Sequence, residues 1–101
     1  MKVGNWISQP QETTGSYTFS GKGYMTKGIV ELLDNHEIHA IYQDIQYLVN
    51  QHNGIDYILV YIHESTKQKI FCIDQLNTQM IQSGQFKVEN NYWTILLAQE
   101  Y

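Results

Sequence analysis

Arginine is absent from this chain, cysteine and proline occur once each, and no apolar run approaches the roughly 18 residues of a membrane-spanning helix. Each absence removes a class of function. With no Arg, and six Lys against ten acidic residues, there is no forked phosphate clamp and there are few counterions to release from a phosphate backbone. Direct DNA or RNA binding is therefore not expected. The ten acids are scattered singly from Glu12 to Glu100, which describes a solvated surface rather than the dense stripe of a nucleic-acid mimic. The lone Cys72 excludes an internal disulfide and suits a reducing compartment. Met1-Lys2 is not followed by an apolar signal-type segment, so the expectation is a cytoplasmic protein with no membrane contact.

What is present fits one globular core. A length of 101 residues with 43% hydrophobic side chains is enough for a single domain and too little for a core plus a separate catalytic unit. Gln and Asn together number eighteen, more than all charged residues combined, so the surface offers neutral hydrogen bonding and little long-range steering.

Residues 1–16 hold the only proline amid Gln, Thr, Gly and Ser, with Trp6 and Ile7 as the sizeable apolar residues. This reads as a flexible or loosely docked N-terminal arm, leaving 17–101 as a single α+β domain. Ser16 to Ile29 mixes aromatics with Gly21, Gly23 and Gly28, as in a strand or hairpin broken by glycines. Asp34 followed by Glu37 forms a capping-box pattern that opens a helix. Its Ile38, Ile41, Tyr42, Ile45, Leu48, Val49 and His52 face a core, while Gln43, Asp44, Gln46 and Asn50 face water, and Asn53-Gly54 stops it. Ile55 to His63 and Lys69 to Ile73 read as strands joined by the polar turn Glu64 to Gln68. Leu76 to Gly84 is a short helix or long loop. Phe86 to Glu89, the turn Asn90-Asn91 and Tyr92 to Ala98 form a closing hairpin. The expected architecture is an antiparallel sheet of about four to five strands with one long helix packed on one face and a short second helix.

No catalytic or cofactor motif survives inspection. His36-Glu37-Ile38-His39 places its histidines three apart, whereas a helical zinc motif needs four, so no metal is expected. His52 and His63 have no ligand partners near them in sequence. Gly21-Lys22-Gly23 lacks the Ser or Thr and the upstream Gly of a phosphate loop. Cys72 alternates with Phe71 and Ile73 in a strand, where a thiol packs as a small hydrophobe. No cofactor and no enzymatic activity are expected.

The eight Tyr and two Trp are the side-chain types enriched at the energetic centres of protein interfaces. Alternation sets Tyr57, Leu59, Tyr61 and His63 on one face of their strand and Ile58, Val60 and Ile62 on the other. The aliphatic set is the better match for the helix, which leaves the Tyr side as the contact face. The expected partner-binding residues are Tyr57, Tyr61 and Trp93, rimmed by Glu64, Asp74 and Glu89 at strand ends or turns. One long helix cannot cover both faces of an apolar sheet, so the other is expected to be covered either by the N-terminal arm and the Leu76 to Ile81 segment or, equally naturally, by a partner protein or a second copy of the chain.

Three segments, Tyr24-Met25-Thr26-Lys27-Gly28-Ile29, Asp56 to Tyr61 and above all Thr94-Ile95-Leu96-Leu97-Ala98-Gln99-Glu100-Tyr101, resemble a family of small proteins of Gram-positive bacteria, the domain of unknown function 960. The similarity spans Tyr24 to Tyr101; Lys67 to Gln85 departs from the family pattern and the first 23 residues are an addition. Proteins that look like this are carried on cassette chromosomes, plasmids and phages, where small acidic proteins often disarm host defence. The resemblance implies a non-enzymatic, anti-CRISPR type of inhibitor that binds a host nuclease, foremost a type II CRISPR RNA-guided nuclease, and blocks guide RNA loading or DNA engagement. The alternative is a homodimeric accessory or structural domain of a mobile element.

Overall fold

A computed structural model of the chain describes residues 2–11 and 15–101. The fold is α+β, with the elements β1 (Lys2–Val3), β2 (Trp6–Ser8), β3 (Lys22–Met25), α1 (Lys27–Leu32), α2 (Asn35–His52), β4 (Ile58–His63), β5 (Lys69–Asp74), α3 (Thr78–Ser83) and β6 (Tyr92–Leu97). The strands form one six-stranded sheet in the order β1-β2-β4-β5-β6-β3.

Helix α2 is set by its ends. Asp34 accepts from the Glu37 amide at 2.8 Å while Glu37 accepts from the Asp34 amide at 3.2 Å, closing the capping box. Asn53 takes a left-handed conformation at φ 55° and ends the helix. Ile41, Ile45 and Val49 are buried, as the spacing requires. Asp44 and Gln46 correct the polar stripe: Asp44 is buried, and Gln46 donates inward to the Phe19 carbonyl at 3.2 Å. Tyr42, expected on the core side, is exposed.

The sheet is mixed, not purely antiparallel. β2, β4, β5 and β6 pair antiparallel in sequence-alternating register, but β3 runs parallel to β6, with Lys22 opposite Tyr92 and Met25 opposite Ile95. The glycine-rich stretch thus yields one strand, and α1 follows it at once, N-capped by Thr26. No strand forms over Phe86 to Glu89; Val88–Asn90 is a 3-10 turn with Val88 projecting into solvent. The closing hairpin is therefore replaced by β6 alone, inserted between β5 and β3.

The N-terminal segment is also corrected. Rather than a flexible arm, β1 and β2 form a hairpin around Gly4-Asn5, with Val3 opposite Trp6, and β2 adds to β4, with Trp6 opposite His63. Trp6 is 1% exposed, and its ring meets His63 edge-on at 4.9 Å. A large aromatic in the core and a hydrogen-bonded strand fix this segment where composition suggests a tail. Residues 12–14 of that arm lie outside the described residues.

The helical layer lies on one side, while on the other the Tyr101 ring packs edge-on against Phe71 at 5.6 Å. Leu59, Tyr61, Ile70, Cys72, Trp93, Ile95 and Leu97 are buried together with Ile29, Leu33, Ile41 and Ile45 of the helical layer. On the other face Ile58, Val60, Ile62, Phe71, Ile73 and Leu96 are only half-buried.

Candidate protein-interaction surfaces

The expected contact face is inverted in the structure. Tyr61 is fully buried, and its hydroxyl donates to Asp44 Oδ2 of α2 at 2.6 Å. The reason is polar pairing: the helix carries a carboxylate to its inner side, and the Tyr61 hydroxyl on the facing strand satisfies it within the layer. The aliphatic residues Ile58, Val60 and Ile62 consequently form the uncovered face. Burial drives the Tyr61 phenol far above its ordinary range, reinforced by Cys72 and by the bonded Asp44. Burial likewise holds the Cys72 thiol protonated, with Asp44 adding to the effect, so neither group offers a nucleophile.

Asp74 and Trp93 are core residues too. Asp74 is 3% exposed and accepts from the Phe19 amide at 2.9 Å and the Gln75 amide at 2.9 Å. Desolvation raises its carboxyl above the ordinary range, against the lowering pull of the backbone donors. Its task is local: Phe19 sits buried at φ 50°, a left-handed conformation costly for a bulky side chain, and the carboxylate holds its N–H there. Tyr57 is 43% exposed, but at the end of the helix-covered side, with its ring 6.2 Å from Tyr17. Glu64 is half-buried in the β4–β5 turn, where its amide bonds the Asn5 carbonyl at 2.9 Å. Glu89 is exposed in the 3-10 turn before β6. The six residues do not converge on one surface.

Two surfaces that sequence reasoning missed take their place. The first is the outer edge of β3. The amides of Lys22 and Thr26 donate to Asn91 and Ile95 on the β6 side at 3.3 and 3.1 Å, so alternation turns the backbone groups of Gly23 and Met25 toward the open edge. Beside this edge a groove of about 390 Å³ runs between β3 and α2, lined by Tyr24, Met25, Ile38, His39 and Tyr42 over Trp93 and Ile95. Tyr42 stacks on Trp93 at 5.8 Å with planes 6° apart. Gly23 lets the indole approach this closely: a Cβ there would lie 2.7 Å from the Trp93 ring. The glycines of this stretch thus serve a close approach, the signal that could have marked the groove.

The second surface is the uncovered face. A groove of about 660 Å³ crosses it, floored by Ile58, Val60, Ile62 and Phe71 and bordered by Gln9, Pro10 and Gln11 of the segment after β2, with Asp56 at one end and Lys69 at the other. Ile7 continues it over β2, and Tyr24, packed edge-on against Tyr92 at 5.5 Å, closes it over β3.

The stretch around Thr26 and Gly28 meets the C-terminal residues Leu97 and Glu100 in space. Thr26 donates to Glu100 at 2.6 Å, and the amides of Gly28 and Leu97 donate to the same carboxylate at 3.3 and 2.8 Å. A Cβ on Gly28 would lie 2.8 Å from that carboxylate and from Leu97. The two segments form a latch that ties α1 to the C-terminal turn.

Among the described residues no group of three His, Cys, Asp or Glu side chains is placed to hold a metal ion, and no helix is long and apolar enough to cross a membrane. No protein-family model, no curated protein and no solved structure matches the chain.

Proposed function

We propose that this protein is a non-catalytic, protein-binding inhibitor that acts by burying surface on its target, and that it takes an extended segment of that target as an added strand along β3. The observation that supports this reading is the free β3 edge beside an aromatic-floored groove. Outward backbone groups at Gly23 and Met25 supply main-chain hydrogen bonds, and the Tyr42–Trp93 stack offers an apolar seat for one side chain of the incoming strand. The absence of Arg argues for a polypeptide rather than a nucleic acid as the occupant. The family resemblance makes a host defence nuclease the target to test first, foremost a type II CRISPR RNA-guided nuclease, blocked at guide loading or DNA engagement.

The test is co-purification of the tagged full chain with a panel of defence nucleases, with and without guide RNA. Met25→Pro removes an outward N–H from the edge without touching the bonds to β6. It should abolish capture, and Tyr42→Ala should weaken it by about 2 kcal/mol. Capture that survives both changes would place the contact elsewhere, and no captured nuclease would remove the nuclease from the proposal. A second reading, a self-associating domain, is favoured by the half-buried apolar face on the opposite side of the sheet.

A further inference from the structure

We infer that a second copy of this chain packs on the sheet face away from the helices, between the bordering residues 9–11 and the Tyr101 ring on Phe71, in a two-fold dimer whose axis lies in the interface plane and runs across the strands. The inference is independent of strand addition at β3, since the two surfaces lie on opposite sides of the sheet and share only Tyr24.

Size and charge select this occupant. Six strands about 4.8 Å apart and roughly five residues deep give a face on the order of 24 by 17 Å. Packed on a copy and with side-chain relief counted, that buries roughly 1,000 Å² in total, at the threshold for a specific interface. The centre, Ile58, Val60, Ile62, Phe71 and Leu96, is aliphatic or aromatic and carries no charge.

Among the described side chains, the charged groups on the face are Asp56, Lys69 and, at the β3 margin, Lys22, whose ammonium lies over the Tyr24 ring at 5.3 Å. Lys69 is opposite Ile62 at one end of β4, and Asp56 precedes Ile58 at the other. Lys69 has no ion-pair partner among the described residues. A two-fold axis along the strands would bring the two Lys69 ends together. The axis across the strands instead sets Lys69 of each copy over the Asp56 end of the other and keeps the like charges apart. The face is therefore self-complementary in that one orientation, the requirement of an isologous interface. Sheets packed about 10 Å apart leave these side chains within reach of each other.

The experiment is sedimentation equilibrium of the full chain from about 1 to about 500 µM, with far-UV circular dichroism and melting confirming that each variant folds. The wild type should pass reversibly from monomer to dimer. Ile7→Lys, at the exposed margin, and Lys69→Asp should each raise the dimer dissociation constant at least tenfold. The double variant Lys69→Asp with Asp56→Lys should return it to within about threefold of wild type. A wild type that stays monomeric throughout, even if it captures a different protein on this face, overturns the inference. So does a dimer that ignores either the apolar or the charge substitutions in folded variants.

Discussion

Tyr61 and Asp44 form a polar pair inside an apolar layer, and their energetics are asymmetric. Among the described residues, the 2.6 Å bond from the hydroxyl to Oδ2 is the hydrogen bond that satisfies this carboxylate, and Oδ1 is buried without a partner. Removing the hydroxyl alone strands a buried polar group, whereas removing both polar groups strands nothing. Tyr61→Phe should thus lower the unfolding free energy by about 2 kcal/mol, read from urea denaturation. Tyr61→Phe combined with Asp44→Leu should recover most of that loss. Two penalties that simply add would show that the pair is not coupled. Sequence reasoning missed the pair for a physical reason: an Asp in a helix is by default a solvated residue, and nothing local marks one whose partner lies 17 positions away. With Asp44 assigned to water, the aliphatic set looked like the natural partner of the helix and the two sheet faces were exchanged.

At the scale of elements, legibility follows how local the determining physics is. Helix α2 was readable from Asp34 to Asn53, since caps and periodicity act within a few residues, and β4 and β5 were readable from their β-branched runs and the turn between them. The parallel pairing of β3 with β6 was not, because it depends on contacts across some 70 positions, among them Gly23 under Trp93. The same long-range logic governs the latch of Thr26, Gly28 and Leu97 on Glu100. Those donors favour the carboxylate and hold the Glu100 carboxyl below its ordinary range, the Thr26 hydroxyl foremost. A depressed folded-state value means that the latch contributes above the ordinary glutamate value of about 4.3 and is lost as pH falls through the lower folded value. In an NMR titration the Gly28 amide should report an inflection below that of free glutamate, absent in Glu100→Gln. An inflection at the ordinary value would mean that the carboxylate is not held.

For the whole molecule, the decisive element is the one composition marked as dispensable. Hairpin β1–β2 covers the outer edge of β4, and Trp6 contributes a fully buried ring to the same core cluster as Tyr61 and Ile45. The Gln9 amide continues the pairing to the Val60 carbonyl at 2.8 Å, and Gln11 bonds the Asp56 amide at 2.9 Å, so the segment is laced along β4 for its described length. A docked arm outside the cooperative unit would tolerate Trp6→Ala within about 0.5 kcal/mol. A strand within that unit should lose about 3 to 5 kcal/mol, a large share of the stability of a domain of this size. Removal of residues 1–9 should be worse in kind, since it opens a long β4 edge next to an apolar face, the combination that templates strand pairing between chains. Equilibrium unfolding of Trp6→Ala and light scattering of the shortened chain test this together. A small loss in the first and a clear solution of the second would show that the hairpin is an ornament on the sheet, whereas a large loss with aggregation would make it the guard of the β4 edge.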